Sequence, residues 1–487
     1  MINFKIVSYI VGILLILLGG LMLTSLTFTL GIDQECTASI LKAALTSSGI
    51  GAIIWWASKG ANKSIGKREG YLIVACGWLS ISIFSALPYL FSDVFPSVTD
   101  AIFESVSGLT TTGATVLNDI EIVPEGLLFW RSLTQWIGGM GIIVLTVAIF
   151  PLLGIGGVEL FVAEAPGPTS DKIHPRIKET AKRLWFIYVG LTAALTIILL
   201  IGGMSGFDAI NHGLTTMATG GFSTKNASMA YFDQPSLQYP ITFFMFLAGI
   251  NYTVIYFGLK GKLKKVWQSD EFKAYLILVA VLISYVTISY YNNTDNDLET
   301  SFRYVSLQVI SIITTTGYVT MDYTSITPSI TIIFFTLLFL GACAGSTSGG
   351  IKIIRHVTLF KNSILEFKRI LHPKAVVRIK VDQKLVPGRI MTHILVFLLL
   401  YLTIFVFGSA IMSIVLKDFN QPLLTSMGAV ATSLGNVGPA IAELGPMDNF
   451  ASIPALGKWF LLFIMLLGRL ELFTILIIFT PYFWRMN

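Results

Sequence analysis

The sequence predicts an all-α integral membrane protein with four M1–P–M2 repeats around a pseudo-fourfold pore and two extra N-terminal transmembrane helices. Three observations carry this. Of 487 residues, 54% are hydrophobic and only 12% charged, against about 25% charged in soluble domains. Ten long apolar runs alternate with polar connections. Four short segments, each ending in glycine, recur between such runs: Thr110-Thr111-Thr112-Gly113, Met217-Ala218-Thr219-Gly220, Thr314-Thr315-Thr316-Gly317 and Thr432-Ser433-Leu434-Gly435.

A membrane-spanning helix needs about 20 mostly apolar residues. Runs of that kind lie near 6–30, 38–58, 70–92, 126–155, 183–203, 238–258, 273–291, 329–362, 391–416 and 455–484. The first is longer than a signal-peptide core and no clear cleavage site follows it, so it reads as a retained helix. Four shorter stretches, 98–112, 206–219, 300–316 and 420–434, are too short and polar to cross. They read as re-entrant pore helices, which membranes tolerate only inside protein or beside a water cavity. Residues 1–60 therefore hold the two extra helices, and the repeats cover 70–155, 183–260, 273–362 and 391–487.

Charge orients the chain. Lys59, Lys63, Lys67 and Arg68 share one connection, Lys172, Arg176, Lys178, Lys182 and Arg183 the next, and Lys260, Lys262, Lys264 and Lys265 a third. The longest holds Lys361, Lys368, Arg369, Lys374, Arg378, Lys380, Lys384 and Arg389. All face one side if ten runs cross and four short stretches do not. By the positive-inside rule that side is cytoplasmic, with both termini. The opposite connections are acidic, with Asp33, Glu35, Asp119, Glu121, Glu125, Asp295, Asp297, Glu299, Glu443 and Asp448. The net charge of +6 follows from these one-sided loops and gives no sign of nucleic-acid binding.

The four short segments have the chemistry of a cation filter. A permeating cation loses water and needs replacement oxygens, which inward-facing backbone carbonyls supply. Glycine permits the backbone angles this requires, and threonine or serine hydroxyls add ligands or brace the loop. Each pore helix would point the negative end of its dipole at the axis. Thr111, Thr112, Gly113, Thr219, Gly220, Thr315, Thr316, Gly317, Ser433, Leu434 and Gly435 are the candidate K⁺-coordinating residues. The plain alternative, polar turns between helices, is weakened by four copies in equivalent places. Acidic outer loops would concentrate cations near the mouth.

The second helix of every repeat is interrupted: at Gln135 to Gly141, Ala248 to Tyr252, Gly341 to Gly350, and Gly468 to Glu471. In the third, ten consecutive small residues include four glycines. Gly345, Ser346, Thr347, Ser348, Gly349 and Gly350 read as an unwound loop acting as a gate, with a close-packed small-residue helix as the alternative. No Lys-Ser/Thr follows the glycines, so a phosphate-binding loop does not fit. Arg469 lies deep in the last apolar run. It serves either as a pore barrier or latch on that loop, or as a structural ion-pair partner; Glu471, two residues on, points to another side.

Cys36, Cys76 and Cys343 are scattered, without a disulfide framework or metal spacing. Five histidines show no zinc-ligand spacing, and His212 reads as a packed pore-helix residue. Asn292-Asn293-Thr294 matches a glycosylation acceptor, a tripeptide common by chance. The 163–183 segment, with Ala165-Pro166-Gly167-Pro168 ahead of basic residues, reads as a solvated connection or a docking surface.

The four repeats, Gln135 to Gly141, the Gly345 to Gly350 stretch and Gly468-Arg469 together resemble the Trk/Ktr/HKT superfamily of potassium transport proteins. The two extra helices are similar to the longer, Trk-type branch. The resemblance implies a homodimer with one pore per protomer in the lipid of a bacterial inner membrane. It also implies a cytoplasmic ring of nucleotide-binding regulatory subunits resembling TrkA, which bind NADH or ATP. K⁺ would be the transported ion, and this chain would bind no organic cofactor. A gated channel-like uptake subunit is the leading function. A K⁺ symporter coupled to H⁺ or Na⁺ is the alternative, although such carriers usually use inverted repeats, whereas these repeats all run in one orientation. An enzyme finds no nucleophile–base pair, metal cluster or phosphate loop here.

Overall fold

Without water to bond to, the backbone of a membrane segment must satisfy itself, and helices do so within one segment. The computed structural model describes residues 2–61, 65–141, 177–374 and 378–485. Regular structure there is almost wholly helical; the one strand ladder among the described residues is a hairpin pairing Lys380–Val381 with Lys384–Leu385.

The two N-terminal helices, Phe4–Met22 and Gln34–Ala57, pack as a close pair. A Cβ built on Gly12 would lie 2.8 Å from the Gly51 carbonyl, and one on Gly51 2.8 Å from the Gly12 carbonyl. Backbones this near need residues without side chains. The Ser47 hydroxyl adds a 3.0 Å bond to the Leu15 carbonyl.

Unit one follows as Lys67–Ser85, the pore helix Val98–Leu109 and Glu125–Gly139. Unit two is Ile177–Ile201, the pore helix Gly206–Met217, and a second helix broken into Pro235–Ala248 and Tyr252–Leu259. Unit three is Asp270–Asn293, the pore helix Leu298–Ile313, and Pro328–Leu337 with Ile353–Leu371. Unit four is Gly388–Val415, the pore helix Pro422–Gly435, and Ala455–Arg469 with Phe473–Leu476. The second helices of units two and four bend by 109° and 107° at their breaks.

Among the described residues, six helices are long and apolar enough to cross, or eight with each bent pair as one span. The other two runs read from the sequence are unit three's, divided by the non-helical stretch 338–352, and unit one's, whose residues 142–155 lie outside the described ones. So does 163–176. Outward faces are apolar: only 22% of the spanning window of Asp270–Asn293 is buried, and Ile277, Val281 and Ile288 stand exposed. A row of such residues faces lipid in a membrane protein.

Capping repeats with the helices. Ser97 accepts from the Asp100 N–H at 3.1 Å and donates to its carboxylate, and Ser205 does the same with Asp208. Second helices of units one, two and four pack on the pore helices of units two, three and one. Buried apolar residues form two clusters, one from the N-terminal pair with units one and four, the other mainly from units two and three.

Candidate functional site

The pore helices end where the small-polar segments begin, and four pairs of left-handed residues mark their meeting. Thr111, Thr219, Thr315 and Asn436 have φ of 53°, 52°, 56° and 54°. Two residues on, Gly113, Gly221, Gly317 and Gly438 have φ of 78°, 77°, 84° and 101°. The spacing makes Thr112, Gly220, Thr316 and Val437 equivalent. A Cβ on Gly113 would run into the carbonyl oxygen of Gly220, one on Gly221 into that of Thr316, one on Gly317 into that of Val437, and one on Gly438 into that of Thr112. The contacts run from unit one to two, three, four and back to one. They close a ring of four backbone carbonyls.

This register differs from the one read from glycine positions. Gly113 and Gly317 are the left-handed glycines of their small-polar segments, but in unit two it is Gly221 rather than Gly220. In unit four it is Gly438 rather than Gly435, because Pro422–Gly435 stays helical through Ser433, Leu434 and Gly435. The tandem Gly220-Gly221 conceals the first shift. The second follows from Asn436, which tolerates left-handed backbone without being glycine. The common signal is a Thr or Asn two residues before the glycine, and it holds in all four units.

Polar side chains brace this ring. Gln135, from unit one, donates to the Gly220 carbonyl at 2.6 Å and accepts from the Phe222 N–H at 3.1 Å. Ser107 donates to the Ala114 carbonyl and Ser311 to that of Tyr318, at 2.6 and 2.8 Å. Seven residues before each left-handed Thr or Asn stand Glu104, His212, Gln308 and Ala429. Glu104 accepts from the Val116 N–H at 3.0 Å and Gln308 from the equivalent Thr320 N–H at 3.1 Å. His212 meets the Ser223 hydroxyl at 3.0 Å, as Glu104 meets that of Thr115. Buried Arg131 neutralises Glu104 at 2.6 Å, bonds the Ser223 carbonyl and lies over the Phe222 ring.

The stretch after Pro328–Leu337 is unwound. Leu340 bridges Ile351, and the glycine-rich loop between them lies against the ring. Gly349 N–H donates to the Thr315 hydroxyl at 2.7 Å. Thr347 accepts from the Thr219 hydroxyl and donates to the Met217 carbonyl, both at 3.2 Å. A Cβ on Gly349 would run into the Gly435 carbonyl. The loop thus touches units two, three and four. Gly345 accepts from the Tyr252 N–H at 3.1 Å, and Cys343 N–H donates to Gly249 at 3.0 Å, so the loop also fastens to unit two's break. Ser346 and Ser348 hydroxyls pair at 2.8 Å, and Gly350 is left-handed. The Thr111 hydroxyl is buried without a hydrogen-bond partner among the described residues.

Arg469 completes the enclosure. Its guanidinium donates to the Thr347 carbonyl at 2.9 Å, to the Gly139 carbonyl at 3.0 Å and to that of Gly138. It ties the loop to the end of unit one's second helix. Glu471 pairs with Arg355 at 2.5 Å instead. Lys352, missed in the sequence reading, is a buried cation beside the half-buried Arg469; its ammonium bonds the Ser348 carbonyl and hydroxyl. It sits at the end of an apolar run beside the basic helix Ile353–Leu371, so nothing in its local sequence separates it from the loop lysines that follow.

A family model described as TrkH, cation transport protein, matches residues 37–289 and 292–485. The Trk system potassium uptake protein TrkH of Salmonella typhimurium is 41% identical over 494 positions, covering 99% of this chain and 100% of that relative. Its counterpart in Escherichia coli K12 is 40% identical, with the same coverage. The crystal structure of the potassium transporter TrkH from Vibrio parahaemolyticus superposes with a TM-score of 0.87 at 36% identity, over 99% of this chain and 100% of that one.

Proposed function

The chain belongs to the TrkH family of cation transport proteins, and from that premise we propose that it is the K⁺-conducting subunit of a Trk-type uptake system, working as a gated channel. The observation that carries this reading is the cyclic contact of four left-handed glycines with four carbonyls, Thr112, Gly220, Thr316 and Val437. A dehydrated cation at that ring would exchange its water for backbone oxygen. Pore-helix C-termini add negative potential there. The Thr347 loop, with Arg469 and Lys352, obstructs the path in this state, and conduction needs it displaced.

In this reading both termini and the basic connections are cytoplasmic, the membrane is a bacterial inner membrane, and two protomers assemble, each with its own pore. A nucleotide-binding subunit on the basic side would set the position of the loop. Current through purified protein in planar bilayers tests the mechanism. Ohmic unitary events support a channel. Transport without unitary current, driven by a H⁺ or Na⁺ gradient, would establish a coupled symporter instead.

A further inference from the structure

Two neighbouring carboxylates at the start of unit three's first helix join the glycine-rich loop to the linker between units three and four. Glu271 is buried. One of its oxygens, Oε1, accepts from the Ala344 N–H at 2.7 Å and from the Ile354 N–H at 3.0 Å. Ala344 directly precedes Gly345, and Ile354 lies in the first turn of the helix that follows the loop. A single oxygen therefore holds both feet of the loop and satisfies a donor that the helix start leaves open.

Asp270 faces the other way. Its Oδ2 accepts from the Lys361 ammonium at 2.6 Å and from the Asp382 N–H at 3.0 Å, while its own N–H donates to the Asp382 carboxylate at 2.6 Å. Asp382 and Gln383 form the turn of the 380–385 hairpin, with φ of 49° and 64°. Lys361 also donates to the Lys380 carbonyl at 3.1 Å. The hairpin is thus bonded in both directions to the residue adjoining Glu271.

We propose that Glu271 is a positioning residue that sets the closed span of the loop, and that Asp270 transmits the position of the 380–385 hairpin to it. The inference rests on reading the loop as the obstruction. Displacing the hairpin along the helix axis pulls on the 270–271 peptide and carries both loop feet with it. Loop and hairpin are then one mechanical unit, and the hairpin is where a load from the basic side enters.

The test is K⁺ flux per folded protein, with the purified full chain in liposomes, for Glu271→Ala, Glu271→Gln, Asp382→Ala and deletion of 346–348, alone and combined. Glu271→Ala raises basal flux about five- to tenfold, the shift expected on losing a hydrogen bond of ordinary net strength. Glu271→Gln keeps an Oε1 acceptor and stays near the unaltered protein. Asp382→Ala gives a smaller rise. Neither Glu271→Ala nor Asp382→Ala adds flux once the loop is shortened, a non-additivity that general destabilisation does not produce. If shortening the loop raises flux while Glu271→Ala leaves it unchanged, the positioning role is overturned and the gate reading stands. If shortening the loop has no effect, both fall. Should Glu271→Ala fail to fold, Asp382→Ala decides, and flux equal to the unaltered protein overturns the proposal.

Discussion

Asn436 donates from its side-chain amide to the Thr112 hydroxyl at 3.0 Å, joining the fourth small-polar segment to the first across 324 residues of chain. The same amide nitrogen donates to the Met465 carbonyl at 3.0 Å, and Thr112 in turn pairs with Thr110 at 2.7 Å. A left-handed asparagine therefore does in unit four what left-handed threonines do elsewhere, and closes the ring with its side chain.

The ring's register is testable with four equivalent substitutions. Gly113→Ala, Gly221→Ala, Gly317→Ala and Gly438→Ala each force a Cβ into left-handed backbone, at about 1–2 kcal/mol, and against a neighbouring carbonyl. Each should lower the preference for K⁺ over Na⁺, measured as Na⁺ competition against K⁺ flux in liposomes. Retained preference in Gly221→Ala and Gly438→Ala, with loss in the other two, would return the register to Gly220 and Gly435.

Lys458 and Asp100 form a buried pair at 2.6 Å between unit four's second helix and unit one's pore helix. Removing one partner strands a buried charge, at about 3–5 kcal/mol, whereas replacing both by apolar residues is often neutral. Lys458→Met should therefore lower the melting temperature in detergent more than Lys458→Met with Asp100→Leu. Equal losses would mean that the pair contributes by shape alone.

Arg469→Ala removes the only tie described between the Thr347 carbonyl and unit one's Gly138 and Gly139. In the proposed reading it also takes a cation from beside the path, where low dielectric enlarges its repulsion of K⁺. Basal flux per folded protein should rise, and Arg469→Lys should fall between. Flux that falls in step with folded yield would make Arg469 structural.

Sidedness is read by labelling. In a background lacking Cys36, Cys76 and Cys343, a cysteine at Asn296 should react with an impermeant thiol reagent only from the acidic face, and cysteines at Lys59 and Lys384 only from the basic face. Reaction at 296 from the basic face would break the topology.

Much of this was legible in the residues. Composition and run length identify a membrane protein, because twenty apolar residues have no stable place in water. The ten small residues from 341 to 350 foretell unwound backbone, since glycine costs a helix about 1 kcal/mol per position. The breaks in the second helices of units two, three and four fall where the sequence places glycine, at Gly249, Gly341 to Gly350 and Gly468. Less visible were the ring's positions in units two and four. Gly221 hides in a tandem glycine, and Asn436-Val437-Gly438 shares only its glycine with Thr111-Thr112-Gly113.

By itself the sequence determined that the chain is a helical membrane protein, where its backbone unwinds, and which connections are basic or acidic. These follow from local apolar content, glycine and charge. Tertiary structure alone decided which atoms meet. Gly438 against Thr112, Gln135 on Gly220, Glu271 on Ala344 and Ile354, and Arg469 on Thr347 all join distant parts of the chain. No local pattern encodes such pairs, because each depends on where two helices stop and how they cross. A buried carbonyl or carboxylate takes the donor that packing brings within reach, whatever its distance along the chain.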